Sequence, residues 1–252
     1  MRLPSGPAGR GSVGEVTGFM GNSAARAFRD EPVGTGTLTG KLGKCITPSA
    51  VSQEALKLSL STKGKQTNIL DARTGQTLFS ATSSMGLMSV TMTVTDEKGV
   101  LVCVCPGKNG MSKASFRVLR PSPAYEGQPA AKEKDNDTPL FPFAICTIQK
   151  GFSSTTATYS LVKADAEGDP MQVPLYEAKK LGAMAFLLSV ENMEGTLVAK
   201  VGQESMMNSK SLGAEVGKGV DITAVMILAA MIGAATGSSG AAVGGLAGAG
   251  VV

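Results

Sequence analysis

The chain has 252 residues, enough for one large domain or two small ones; 42% are hydrophobic but only 4% aromatic, so a core must rely on Val, Leu, Ile, Ala and Met. Of its formal +4 charge, +3 lies in residues 1–50 (six Lys/Arg against three Asp/Glu), and the remaining 18 Lys/Arg against 17 Asp/Glu argue against a nucleic-acid surface. Histidine is absent, which removes the Ser-His-Asp triad, the Cys-His dyad and every histidine metal site; no catalytic residue, metal or cofactor is expected.

Residues 1–54 read as a poorly ordered lead, rich in Gly, Ser, Pro and Ala and without a sustained apolar period. Arg2, Arg10, Arg26 and Arg29 would suit a transit peptide, while Glu15, Asp30 and Glu31 count against one. No apolar stretch follows Met1, so no secretory signal is expected and the Asn136-Asp137-Thr138 sequon reads as incidental. Gly9 to Gly14 matches GxGxxG literally, but neither the strand nor the helix that a dinucleotide site needs flanks it.

From about residue 55 the pattern becomes short strands separated by turns. Val90, Met92 and Val94 alternate with Ser89, Thr91, Thr93 and Thr95, the period of a half-buried strand. Val100 to Cys105 is apolar throughout, as expected of a strand covered on both faces. Phe141, Phe143 and Ile145 alternate, as do Met184, Phe186, Leu188 and Val190. Four hairpin units recur: NILDARTGQTLF (68–79), TVTDEKGVLVCV (93–104), YSLVKADAEGDPMQV (159–173) and LLSVENMEGTLVAKV (187–201). Gly75, Gly99, Gly168 and Gly195 supply the positive φ that tight turns need. Asp71, Asp96 and Glu191 read as turn formers and not as acid/base groups. Pro121 to Pro139 reads as a surface loop or hinge.

Cys103 and Cys105 are two apart and so share one strand face; with Cys45 and Cys146 they read as buried structural thiols in a reducing compartment. Gly213 to Gly219 (GAEVGKG) falls one residue short of a phosphate loop and lacks its Ser/Thr.

Ile222 to Ala235 carries no charge. Asp221 is placed to cap a helix there and Gly237 to end it. Apolar side chains on every face require protein or lipid around it. Fourteen residues span roughly 21 Å, short of the ~20 residues a bilayer core needs, so a core helix is expected. The uncharged run does continue through the Gly-rich tail 237–252 with GxxxG spacings, which keeps a membrane-inserted segment as the alternative.

The run AEVGKGVDITAVMILAAMIGAA (214–235) and the hairpins NILDARTGQTLF and TVTDEKGVLVCV resemble the LURP-one-related family of the tubby C-terminal-like group, which also contains the phospholipid scramblases. The resemblance covers roughly residues 56–236. It implies a mainly β fold: a closed antiparallel barrel of about twelve strands around one apolar C-terminal helix, with residues 55–236 as the domain. The expected helix positions include Asp221, Ile222, Val225, Met226, Leu228 and Ile232. Neither the phosphoinositide-binding basic motif of tubby proteins nor the palmitoylation cluster and acidic calcium segment of scramblases is found in this sequence.

The resemblance implies a non-enzymatic cytoplasmic module that engages an anionic phospholipid or a protein partner through the barrel exterior, with peripheral membrane association. Lys150, Lys163, Lys179 and Lys180 are the candidate lipid-binding residues; the plainer reading makes them solvated strand-edge lysines. The alternative function is a scramblase-like protein whose segment 222–252 inserts into the bilayer.

Overall fold

The structure, a computed structural model, describes residues 30–38, 45–63, 66–85, 89–110, 112–131, 138–151, 154–165, 169–181, 186–205 and 208–236. Its strands are β1 (Leu56–Lys63), β2 (Gln66–Asp71), β3 (Thr77–Met85), β4 (Ser89–Asp96), β5 (Leu101–Asn109) and β6 (Lys113–Arg120). They continue as β7 (Phe141–Lys150), β8 (Thr155–Ala164), β9 (Pro170–Leu181), β10 (Leu187–Asn192), β11 (Leu197–Ser205) and β12 (Asn208–Val216). Each strand pairs antiparallel with the next, and β1 returns to β12, Leu56 opposite Val216 and Leu60 opposite Leu212. This is the expected closed twelve-strand barrel, and closure removes every free sheet edge.

Helix α1 (Ile222–Thr236) occupies the lumen. Eight strands enclose room for side chains alone; twelve enclose more, and a helix about 10–12 Å across fills it. Every α1 residue but Ala234 and Thr236 is buried, including Ile222, Val225, Met226, Leu228 and Ile232, and the helix lies closest to β7 and β8. Asp221 caps it, Oδ1 accepting the Ala224 N–H at 3.1 Å. Among the described residues no helix is long and apolar enough to cross a membrane. Gly237, expected as the stop, and the whole tail lie outside the described residues.

Three of the four expected turns are built alike. Gly75, Gly99 and Gly195 have φ of 72°, 79° and 77°, and in each a short polar side chain closes the turn. Asp71 Oδ1 accepts from the Arg73 N–H, Asp96 Oδ1 from Lys98 and Val100, and Asn192 Oδ1 from Glu194 and Thr196. The third closer is therefore Asn192 and not Glu191, which belongs to β10 and faces Glu177 across the sheet. Gly168 lies outside the described residues.

The expected strand alternation is clearest in β4. Val90, Met92 and Val94 are buried in alternation. Phe186, Leu188 and Val190 are buried too, but so are Leu187 and Ser189 between them, so β10 is covered on both faces and does not alternate, while Met184 lies outside the described residues. In β7 the expected Phe141/Phe143/Ile145 face holds only at Phe143: it is buried together with Ala144, Cys146 and Ile148, while Phe141 and Ile145 are half-exposed. The register shifts between Val118 and Leu119 on the partner strand, and a bulge of this kind changes which side chains a strand presents. In β5 the outer face is only partly covered: Leu101 and Val104 are half-buried, and Val100, in the turn, is 60% exposed.

The larger correction concerns the lead. Cys45, Ile46, Ala50 and Val51 are buried in the main core, with Leu38 at its edge. Residues 45–52 plug the end of the barrel from which α1 starts, Val51 bridging to Asp221 and the Ser52 hydroxyl donating to the Gly217 carbonyl. Residues 34–38 run along the β11–β12 side, with Gly34, Gly36 and Leu38 N–H groups donating to Leu197, Lys218 and Gly219 carbonyls. A side chain at Gly217 would strike the Gly34 carbonyl, so the approach of the two backbones depends on that glycine. Five apolar side chains scattered among glycines and prolines show no period, so sequence pattern could not reveal them.

Candidate interaction surface at the basic end of the barrel

Antiparallel order places the two tips of every strand at opposite ends of the barrel. One end holds the tight turns at Gly75, Gly99 and Gly195, the plug and the start of α1. The reversal at 217–220 sends α1 back through the lumen toward the other end, where β12 begins. The two ends differ sharply in charge.

At the end α1 runs toward, the last three positions of the strands hold Lys63, Lys108, Lys113, Lys150, Lys179, Lys180 and Lys210 against one acid, Glu204. Lys108, Lys113 and Lys179 are exposed. By the same count, the tips and turns of the opposite end carry Asp71, Asp96, Glu97, Asp165, Asp169, Glu191, Glu194 and Glu215 against Lys57, Arg73, Lys98, Arg120, Lys163 and Lys218, a small net negative charge. A body that is nearly neutral in total is therefore polarised from end to end.

Of the four lysines singled out from the sequence, the structure brings three together. Lys150 pairs with Thr155 across β7–β8, and Thr155 pairs with Lys180 across β8–β9. Lys179 and Lys180 diverge, as neighbours on a strand must. Tyr176 and Ala178 are buried and Glu177 and Lys179 exposed, so Lys179 faces out and Lys180 turns into the barrel mouth. Burial holds the ammonium groups of Lys180 and Lys150 below their ordinary pKa, and Lys150 Nζ donates to the Gly110 carbonyl at 2.7 Å. Lys163 is eight positions along β8 from Thr155, roughly 26 Å at 3.3 Å per residue, and opposes Met171 at the acidic end. It does not belong to the patch. Lys108 and Lys113, which sequence reading passed over, do: Lys113 faces Gln149 next to Lys150, and Lys108 faces Ser89.

Beside Lys179 the outer wall is hollowed into a groove of about 310 Å³. Thr147, Thr156, Thr158 and Ser189 line it with short hydroxyl side chains, Lys179 stands toward the basic end, and Glu177 and Glu191 close the other side. An anionic group is drawn to the Lys179 side and repelled from the two carboxylates.

The strongest buried electrostatics lie at the opposite end and hold the plug. Arg120 is 1% exposed. Its Nη1 donates to the carbonyls of Cys45 (2.8 Å) and Ile46 (3.3 Å), Nε to Ser122 and Nη2 to Pro123 (each 2.8 Å). Its guanidinium lies 4.3 Å from the Phe143 ring centroid. Asp221 Oδ2 accepts the Ile46 N–H at 2.7 Å. Burial raises the Asp221 carboxyl to about 6, against the opposing effect of the Ile46 and Ala224 N–H groups. Cys45, Cys103, Cys105 and Cys146 are free and buried. Burial, then the Asp221 charge, raises Cys45 to about 11, and burial also raises Cys146; a hydrogen bond with Cys105, 4.0 Å away, and burial raise Cys103. Such thiols are inert at neutral pH. Among the described residues no cluster of His, Cys, Asp or Glu is arranged to hold a metal ion.

No family model matches the chain, and no curated protein matches it. Among solved structures, a crystal structure of an Arabidopsis thaliana protein, AT5G01750, is similar over 74% of this chain and 94% of its own, with a TM-score of 0.43 and 14% identity. A likeness that loose carries no argument about function.

Proposed function

We propose that the protein is a non-enzymatic, cytoplasmic docking module of the tubby-like, LURP-one-related kind, which associates peripherally with membranes by setting its basic end on anionic phospholipid headgroups. The observation that carries this reading is the gathering of seven lysines against one glutamate at one end of a barrel whose other end is acidic. Each lysine near an acidic membrane adds about 1 kcal/mol, while the acidic end is repelled, so the same charges that attract the barrel also orient it. The buried position of α1 supports a peripheral mode, since the apolar helix already has the barrel around it.

Co-sedimentation with phosphatidylcholine vesicles, with and without phosphatidylserine, tests the proposal. Binding is expected only with the anionic lipid and to weaken with added salt. The triple substitution Lys108→Glu/Lys113→Glu/Lys179→Glu, all at exposed positions, is expected to lower partitioning at least about 100-fold. Lys163→Glu, at the acidic end, is expected to leave it unchanged. Equal losses from both variants would show that the end of the barrel does not matter. No binding to anionic vesicles at low salt would hand these lysines to an acidic protein partner instead.

A further inference from the structure

The acidic end holds a cleft that lipid docking does not use. It has a volume of about 590 Å³ and opens between the plug and the β2–β3 and β4–β5 turns. Leu56, Leu78, Phe79 and Ile222 form the apolar part of its lining, beside the polar side chains of Ser52 and Gln53. Phe79 and Ile222 are buried, whereas Leu56 and Leu78 remain only partly covered although they pack against the main core. Glu54, Asp96 and Glu97 stand at its rim. The rim carboxylates are held in place: Glu97 accepts from Gln76 Nε2 at 2.8 Å, Glu54 pairs with Arg73 at 3.1 Å, and Asp96 is tied into its turn. Lys98 at the rim, with Arg73 and Lys57 near it, offsets part of this charge, and the surrounding tips and turns leave this end with a small net negative charge.

We infer that this cleft is a second docking site, which takes a basic peptide segment of a partner protein and seats one of its aliphatic side chains on Leu56 and Leu78. Volume, lining and charge each bear on the choice of occupant. A space of this size accepts a peptide side chain with part of its backbone. The apolar part of the lining rewards an apolar anchor, and burying one leucine-sized group is worth one to two orders of magnitude in affinity. The acidic end steers and orients cationic flanks, and repels an anionic segment or a membrane surface. Strand length separates this cleft from the basic end by about 30 Å (ten residues of β8 at roughly 3 Å each), so both ends can be occupied at once. The inference stands without the lipid reading.

The test uses the full chain and two fluorescein-labelled probes, a seven-residue peptide with leucine between two triplets of arginine and the same peptide with serine at the centre. Fluorescence anisotropy is expected to show the leucine peptide binding at least tenfold more tightly than the serine peptide. Glu97→Lys, on an exposed turn, is expected to weaken both peptides severalfold. Leu78→Gln is expected to abolish the difference between them while leaving the weaker affinity in place. Equal affinity of the two peptides for the wild-type chain overturns the proposal, as does insensitivity to Glu97→Lys. A concentration-dependent doubling of mass that Glu97→Lys abolishes, without peptide binding, would assign the cleft to a second copy of the chain and overturn it as well.

Discussion

Replacing Arg120 with alanine is expected to cost the barrel about 4 kcal/mol, a large share of the 5–15 kcal/mol by which a domain is usually stable. The guanidinium serves four main-chain carbonyls, two from the plug and two from the loop after β6, and covers the Phe143 ring. Alanine leaves those carbonyls without their donor in a place almost closed to water. Each orphaned group costs about 1–3 kcal/mol unless water reaches it, and the cation–π contact is lost as well. Thermal unfolding of a chain this long is expected to fall by roughly 10 °C. Arg120→Lys should recover less than half of the loss, because an ammonium cannot reproduce the planar fork that reaches 45–46 and 122–123 together. If the alanine variant melts within a degree or two of wild type, the plug is not held by Arg120.

A second large effect concerns pH. The Asp221 carboxyl is raised to about 6 from an ordinary 3.8 because α1 and the plug bury it. The folded state therefore prefers the protonated form. The corresponding stability is fully present below about 3.8 and is lost as pH rises through about 6, roughly 3 kcal/mol in all. Asp221→Asn cannot ionise and so should not show this loss. Whatever offset the substitution introduces by altering the Ile46 and Ala224 contacts, the variant is expected to gain roughly 2 kcal/mol on wild type between pH 4 and pH 7. Urea denaturation of both proteins across that range measures the gain. Parallel stability profiles would show that Asp221 titrates as an ordinary carboxylate and is not desolvated.

Local chemistry in this sequence could be read without the structure, and global placement could not. The alternation of Val90, Met92 and Val94, the glycines of three turns and the uncharged run after Asp221 are each set by neighbours in the chain. Wherever a distant strand decides, the signal fails. Ile145 faces outward because the β6–β7 register shifts beside it. Asn192 closes its turn in place of Glu191 through a choice of one residue. The plug shows no period because its few apolar residues answer to the lumen and not to one another. The basic end is the clearest case: Lys108, Lys113, Lys150 and Lys180 lie on four strands, and only the closed, alternating order brings their tips together while sending Lys163 to the far end. Lys179–Lys180 was visible because it is a dipeptide, and the rest of the patch was not.

Orientation on the membrane is open to direct measurement. The four native thiols are buried, so a polarity-sensitive label can be directed to one introduced cysteine. Ser112→Cys places it between β5 and β6 at the basic end, and Thr74→Cys places it in the β2–β3 turn at the acidic end, both exposed and neither removing a lysine. On vesicles containing phosphatidylserine, the label at position 112 is expected to shift to the blue and to be quenched by quenchers in the headgroup region, while the label at 74 stays as in water. A bound protein whose position-74 label shifts, or in which neither label does, would contradict docking through the basic end.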